Sequence, residues 1–229
     1  AVVARSQQID RRQRDIDRQR MHLAERMVGG KLLVFEQQHF LQPFEEIVVL
    51  AHALASPQGE RGDLVGARRA PEAEIDAIGR AIRYAEESGC ALHVVHVSTA
   101  AALAAIGEAR DRGIDVTAET CPHYFTFSED DLPRLGALMK CAPPLRSHDE
   151  SSRLLQAVAG GHAQIVASDH SPCPPSMKNG DDVFAIWGGI AGCQSLLPAT
   201  ISAIHNTGGA PLPFAVKLIS EAPARRLRL

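Results

Sequence analysis

From residue 71 onward, the chain alternates between apolar positions at helical spacing and short continuous apolar runs. Over residues 71–89, apolar side chains recur three or four residues apart, at Ile75, Ile78, Ile82 and Ala85. This spacing predicts a helix with one buried face. Pro71 suits the first turn of that helix, and Gly89 suits its C-terminal stop.

Short apolar runs and predicted helices follow each other in a regular order. The runs are "CALHVVHVS", "IDVTAETCPHY" and "AQIVASDH", and each is typical of a buried strand. Helices are predicted between them at residues 100–112, where Ser98 or Thr99 can cap the start and Gly113 ends the helix, and at residues 149–158. Alternating strands and helices predict an α/β fold, with a parallel sheet or barrel.

Polar side chains stand at the end of each predicted strand: His96 and Ser98, Glu119 to His123, and Ser168 to His170. Parallel strands present their carboxyl ends on one face, so these groups are expected to lie together as a site. For Asp169 there is a second reading. Asp and Ser bond their own backbone at strand ends, and the prolines at 172, 174 and 175 forbid further pairing, so turn chemistry alone also accounts for this segment.

Composition and charge narrow the class of protein. The 229 residues are 45% hydrophobic and carry a net charge of −3, and the Arg-rich segment 1–31 is interleaved with acidic residues. A solvated helical face fits that segment better than a nucleic-acid patch, so we expect no nucleic-acid partner. No apolar run approaches a membrane span, and no signal peptide is evident. Five cysteines without a C-x-x-C pair argue against a disulfide framework and favour a reducing cytoplasm.

His96 and Asp169 are the residues best suited to metal chemistry. An imidazole nitrogen and a carboxylate oxygen are both ordinary zinc ligands. A hydrolytic metal lowers the pKa of water, and a nearby carboxylate can take and pass on the proton. His93, three positions before His96, is expected to point to the opposite face of its strand and to be a packed or surface histidine.

Several longer motifs resemble one enzyme family. They are "LHVVHVSTAAAL", "VTAETCPHYF", "KCAPPLRS", "VASDHSPCPPSMKNGDD", "FAIWGGIAGCQSLLP" and "SEAPARRLRL". Together they are similar to the allantoinase family of cyclic amidohydrolases, which is related to dihydroorotase, hydantoinase and dihydropyrimidinase. The resemblance covers about residues 63–229, and residues 1–62 stay an unassigned Arg- and Gln-rich segment with a linker.

The resemblance implies a (β/α)₈ barrel of amidohydrolase type, a binuclear divalent metal site with zinc as the expected metal, and hydrolysis of the hydantoin ring of allantoin to allantoate by a metal-activated hydroxide. Asp169 matches an aspartate that binds metal and acts as the catalytic general base. His96 matches a metal ligand, and His52 in "VVLAHA" matches a further histidine. The resemblance implies substrate-binding positions at Cys141, Ala142, Ser171, Gly188 and Gly189. It implies roles for His123 and His170 as residues that orient the metal ligands.

Three features depart from the family pattern. The chain has no His-x-His pair, and Lys31 is the one candidate for the carboxylated lysine that bridges the metals. The match is also shorter than a full barrel of about 250 residues, so we expect only its C-terminal half. A half-barrel exposes sheet edges and apolar surface, which predicts self-association into a homo-oligomer. The alternatives are an inactive fragment or assembly scaffold, and the same chemistry on dihydroorotate or hydantoins.

Overall fold

The computed structural model describes the backbone of residues 46–49 and, in full, residues 71–179, 186–208 and 211–229. The predictions for Lys31 and His52 lie outside the described residues. So does most of the unassigned segment 1–62, of which only the strand at residues 46–49 is described.

Four described strands form one parallel sheet in the order β1-β2-β3-β4. They are β1 (Glu46–Val49), β2 (Ala91–Val94), β3 (Val116–Thr120) and β4 (Ile165–Val166). Beyond β4, His170 and Ile190 form an isolated parallel bridge, so the parallel arrangement extends past the last named strand. The predicted α/β class is therefore confirmed, and three of the four described strands, β2 to β4, fall at the runs expected from the sequence.

Three helices lie where the sequence predicts them, and the other described helices were not predicted. The three predicted ones are α1 (Pro71–Ser88), α2 (Ala100–Asp111) and α5 (His148–Ala159), with the short α3 (Pro122–Thr126) and α4 (Leu132–Leu135) between β3 and α5. After β4 come α6 (Leu196–Asn206), α7 (Pro211–Val216), a π-helical turn (Lys217–Glu221) and α8 (Ala222–Leu227). Single 3₁₀ turns lie at Glu129–Asp131, Gly136–Met139, Pro175–Lys178 and Cys193–Ser195.

Local chemistry explains where the helices start and stop. The Thr99 hydroxyl accepts a hydrogen bond from the amide of Ala102, which satisfies one of the free donors at the start of α2. Gly89 follows α1 with φ +70°, a left-handed conformation that glycine adopts without steric cost. Both the cap and the stop were predicted from residue type alone.

The hydrophobic core lies between one face of the sheet and the helices packed on it. Leu92 and Val94 of β2 are fully buried, as are Ile78 of α1 and Leu103 and Ile106 of α2. Burying a side chain of this size contributes roughly 1.5–3 kcal/mol. Within the part of the chain that the structure describes, no helix is long and apolar enough to cross a membrane.

The opposite face of the sheet is polar. His93 of β2 is buried, and its ring nitrogens contact two side chains of β3: Nδ1 lies 2.7 Å from Thr117 Oγ1, and Nε2 lies 3.3 Å from Glu119 Oε2. His93 is thus a packed histidine with partners on the neighbouring strand.

Candidate active site

The residues that follow the strands meet at the carboxyl end of the sheet. His96 lies two residues after β2, and Asp169 lies three residues after β4. Both have positive φ angles, 43° and 45°, which side chains with a Cβ seldom adopt. Strained backbone of this kind collects at functional sites, where the surrounding structure over-determines it. The two residues first singled out from the sequence therefore share an unusual local conformation.

Asp169 has two further potential metal ligands close by. One ligand atom from each of Cys121, His123 and Asp169 lies within 4.8 Å of the other two. Cys121 follows β3 directly, and His123 lies in the first turn of α3. Both are buried, whereas Asp169 is half-buried. The parallel sheet brings these groups together although 46 positions separate His123 from Asp169.

His123 is held in its neutral form. Burial, reinforced by the nearby His96, lowers the pKa of His123 to about 4. Its Nε2 atom is fully buried and has no hydrogen-bond partner among the described residues. A buried nitrogen of this kind costs free energy unless something binds it.

Burial and the charge of Asp169 also shift the pKa values of His96 and Cys121. Burial lowers the pKa of His96, although the carboxylate of Asp169 opposes this shift. Burial and the negative charge of Asp169 both raise the pKa of the Cys121 thiol well above its usual range. In the absence of a bound cation, the site therefore favours a protonated thiol.

Three loop segments beside this cluster, around residues 140, 171 and 189, are joined by backbone contacts. The amide of Gly189 donates to the carbonyl of Lys140 at 2.9 Å, and the amide of Ser171 donates to the carbonyl of Ile190 at 2.9 Å. A Cβ on Gly189 would lie 2.6 Å from Ser171, so only glycine allows this approach. Burial, followed by the charge of Asp169, raises the pKa of Cys141 to about 12. The loops are thus adjacent to Asp169 as well as to each other.

Lys178 is a residue of this region that the sequence did not single out. Its ammonium group donates to the carbonyls of Ala137 and Gly189 at 2.9 and 2.8 Å, and lies 3.5 Å from the carbonyl of Lys140. It thereby joins the segment of residues 137–140 to Gly189. No sequence pattern signalled this role, because Ala137 and Lys140 lie 41 and 38 residues before Lys178 and Gly189 lies 11 residues after it.

The other predicted site residues occupy different surroundings. Cys141 is buried and Ala142 half-buried, while Gly188 is exposed and Gly189 buried. The exposed His170 accepts a hydrogen bond at Nδ1 from the amide of Cys193 at 3.2 Å, which orients its ring toward that turn. The roles assigned to all these residues stay predictions.

Curated relatives match a large part of the chain. An allantoinase of Rubrobacter xylanophilus is 52% identical over 160 residues, which cover 70% of this chain and 35% of the relative. An allantoinase of Solibacter usitatus is 54% identical over 157 residues, which cover 69% of this chain and 34% of the relative. No protein-family model matches the chain.

Solved structures with a similar fold agree with these relatives. An L-hydantoinase (dihydropyrimidinase) from Arthrobacter aurescens aligns with a TM-score of 0.64 and 34% identity, covering 67% of this chain and 35% of that one. A D-hydantoinase crystal structure aligns with a TM-score of 0.66 and 31% identity, covering 71% of this chain and 37% of that one. The described part therefore has the fold of a portion of an amidohydrolase barrel. The chain spans about a third of the length of the relatives it matches.

Proposed function

The chain is homologous to allantoinases over about 70% of its length, and on that premise we propose that it contributes part of a metal-dependent site that hydrolyses the ring of allantoin to allantoate. The observation that carries this proposal is the cluster of Cys121, His123 and Asp169, in which one ligand atom of each residue lies within 4.8 Å of the others and the Nε2 of His123 is buried without a hydrogen-bond partner among the described residues. Relatives named allantoinase at 46–54% identity support the choice of allantoin as substrate.

The donor set fits a divalent cation. Neutral imidazole and carboxylate are the ligands that zinc and similar ions prefer. His123 is neutral because burial depresses its pKa, so its Nε2 can bind a metal without first losing a proton. We therefore propose His123 as a direct ligand together with Asp169 and His96, in place of the orienting role that the resemblance implied. Zinc is the ion that we propose.

A divalent metal in this site would supply Lewis acidity that lowers the pKa of water and polarises a ring carbonyl. Asp169 would accept the proton of the attacking water. Hydrolysis adds the oxygen of water to the ring carbonyl carbon and breaks the adjacent C–N bond. Asp169 would then deliver its proton to the departing nitrogen, so that the carboxylate is restored.

The three adjoining loop segments would hold the substrate. Backbone groups at Cys141, Ala142 and Gly188 and the carbonyl of Gly189 would pair with the donors and acceptors of a cyclic amide, and Ser171 lies beside Gly189. Because Gly189 is packed against Ser171 and bonded to Lys140, these groups are fixed before substrate arrives. Such preorganisation spares the cost of ordering the loop at the moment of binding.

The proposal also includes self-association. The family pattern calls for a His-x-His pair that this chain does not contain, and His52 lies outside the described residues. Another chain that carries such a pair would supply those ligands, and self-association of this chain would cover the exposed sheet edges of the partial barrel. Sedimentation at several protein concentrations tests this point, and a monomer that holds its full complement of metal would contradict it.

Metal content and ring opening are the measurements that test the proposed function. The purified 229-residue chain would be equilibrated with zinc or manganese, and the bound metal per chain measured by elemental analysis. Tightly held metal, together with conversion of allantoin to allantoate, is the expected result. A chain that holds no metal and leaves allantoin intact would contradict the proposal.

A second candidate is hydantoin or dihydropyrimidine hydrolysis. It rests on the aligned structures, which are those of hydantoinases and a dihydropyrimidinase. Assaying hydantoin and dihydrouracil beside allantoin separates the two. A higher kcat/KM on hydantoin than on allantoin would favour this second candidate.

A further inference from the structure

A buried carboxylate forms hydrogen bonds to the residues that follow His96. Glu74, in the first turn of α1, is 5% exposed. Its Oε1 accepts hydrogen bonds from the amide of Ser98 at 2.9 Å and from the Ser98 hydroxyl at 3.0 Å, and its Oε2 accepts from the Thr99 hydroxyl at 2.7 Å. One side chain therefore holds the turn that begins two residues after His96.

Arg146 connects this hydrogen-bond network to the segment that carries Cys141. Its Nε donates to the Ser98 hydroxyl at 2.9 Å, and its Nη2 lies 3.9 Å from Glu74 Oε2. The Ser98 hydroxyl thus donates to Glu74 and accepts from Arg146. Arg146 and Ser98 are both buried. The opposite charges of Glu74 and Arg146 compensate each other at a buried position, where water cannot solvate them.

The position of the network matters because His96 is strained. A histidine at φ 43° needs surrounding contacts to stay in that conformation. Glu74 supplies three such contacts, and Glu150 supplies a fourth by accepting from the amide of Ala100 at 2.7 Å. The backbone after His96 is consequently tied at three successive residues, 98 to 100.

We propose that Glu74 is a positioning residue, which acts through Ser98 and Arg146 to hold His96 in its metal-binding conformation and to couple the turn of residues 96–99 to the segment of residues 141–146. The inference rests on the proposed metal site. The hydrogen bonds described for Glu74 go to Ser98 and Thr99, so we assign its effect on the metal site to the turn that these residues form.

Glu74→Gln in the full chain tests this inference, with Glu72→Gln as the matched control, because Glu72 is exposed in the same helical turn. The zinc dissociation constant would be measured by competition with a chromophoric chelator, on protein shown to be folded by circular dichroism. Glu74→Gln should weaken zinc binding roughly 10–100-fold, the usual effect of losing a group that orients metal ligands, and Glu72→Gln should leave binding unchanged. Folded Glu74→Gln that binds zinc as tightly as the unmodified chain would overturn the inference.

Amide hydrogen exchange provides a readout that does not depend on metal. In metal-free Glu74→Gln, the Ser98 amide should exchange faster, while the Ala100 amide, held by Glu150, should change less. Equal exchange of the Ser98 amide in the variant and the unmodified chain overturns the inference. The unmodified chain could bind no zinc while the Ser98 amide still exchanges faster in Glu74→Gln. That result would contradict the proposed function and the metal-binding part of the inference, but not the role of Glu74 in holding the turn.

Ser98→Ala is the milder variant if Glu74→Gln does not fold. It removes the hydroxyl that links Glu74 to Arg146 and keeps the backbone hydrogen bond from Ser98. Zinc binding should weaken about 2–10-fold, as expected for one hydrogen bond, with circular dichroism unchanged. Unchanged zinc affinity in Ser98→Ala would count against the coupling role of Arg146.

Discussion

The two ends of the parallel sheet differ in how far their charged and titratable side chains are buried. At the carboxyl end, His96, His123 and the Glu74–Arg146 pair are buried, and His96 and Asp169 hold strained backbone angles. At the amino ends of β3 and β4 lies a cavity of about 520 Å³, whose lining includes Arg110, Asp115, Gln164, Lys217, Arg225 and Arg226. Three of the four cations in that set, Arg110, Lys217 and Arg225, are exposed.

Ion pairs at the amino end serve mainly to attach the last helix. Arg226 donates to Asp115 Oδ1 at 2.6 Å and to the carbonyl of Leu92 at 2.9 Å, which fastens α8 to β2 and to the start of β3. Arg225 pairs with Glu221 at the surface, where ion pairs contribute little to stability. These cations have their partners within the fold.

Cavity volume is therefore a poor guide to chemistry in this protein. Most charges that line the cavity are exposed, and the buried guanidinium of Arg226, whose Nε has no partner among the described residues, is bonded through its other nitrogens to Asp115 and Leu92. The carboxyl end instead contains the buried imidazole of His123, whose Nε2 has no partner in the described part of the chain and which has a ring nitrogen within 4.8 Å of ligand atoms of Asp169 and Cys121. The second arrangement has a free-energy cost that a bound cation can offset. We expect variants at the two ends to separate loss of function from loss of stability.

Asp169→Asn should have the largest effect. Asparagine tolerates a positive φ and keeps the side-chain shape, but it removes the charge and the proton acceptor. Zinc retention should be lost, and allantoin hydrolysis should fall about 10²–10⁴-fold, the range expected for a general base. Elemental analysis and a steady-state assay measure the two quantities.

Asp149→Asn is the control for that variant, since Asp149 is an exposed carboxylate in the first turn of α5. It should retain both metal and activity. Equal losses in the two variants would mean that charge removal in general, and not the site, governs activity.

Gly189→Ala should be the next most severe change. The new Cβ would lie 2.6 Å from the backbone oxygen of Ser171, which forces the two loops apart. Overpacking of this kind costs about 1–3 kcal/mol, and KM should rise as well. Gly188→Ala is the matched control, because its nearest neighbour is the flexible Lys140 side chain at 3.7 Å. Urea unfolding of both variants gives the difference, and equal midpoints would contradict the packing described for Gly189.

Lys178→Met should reduce the free energy of unfolding by about 1–2 kcal/mol, because the carbonyls of Ala137 and Gly189 each lose a charged donor. The effect is moderate because Lys178 is partly exposed and water can replace some of these bonds. KM for allantoin should rise more than kcat falls, since the change loosens the substrate loops. A fall in kcat with unchanged KM would place Lys178 in the reacting centre instead.

Arg226→Met should have the smallest effect, a loss of about 1 kcal/mol of stability with unchanged zinc affinity. The change removes the bonds to Asp115 and Leu92 but leaves the carboxyl end intact. Arg225→Met, at an exposed position, is the control and should be near neutral. If Arg226→Met weakened zinc binding as strongly as Glu74→Gln, the two ends of the sheet would not be independent.

Sequence periodicity was sufficient for α1, α2, α5 and the strands β2 to β4, whereas the short helices α3 and α4 and the helices after residue 195 were not predicted. The buried positions Ile78, Ile82 and Ala85 of α1 and the stops at Gly89 and Gly113 lie where residue spacing and residue type place them. Ile75, predicted on the same face, is only partly buried. These features are local, so a window of a few residues contains the information that decides them.

The residues at the strand ends allowed the position of the candidate site to be predicted as well. His96 and Asp169 were singled out because parallel strands share one carboxyl edge, a rule of topology that needs no coordinates. The motifs in those same segments carried the family resemblance, and the relatives confirm it. Yet the spacing of residues along the chain could not decide whether His123 binds metal or orients a ligand.

What the sequence determined by itself is the order of strands and helices, the caps and stops, the family, and the edge of the sheet at which polar groups collect. What only the tertiary structure decided is which of those groups meet. Glu74 lies 24 residues from Ser98, Arg146 lies 48 residues from Ser98, and Lys178 lies 41 residues from Ala137. Each is an ordinary polar residue within its own segment. Burial and hydrogen bonding across the fold give them their roles, because the interaction energy of a charged or polar group depends on the dielectric constant and the partners around it.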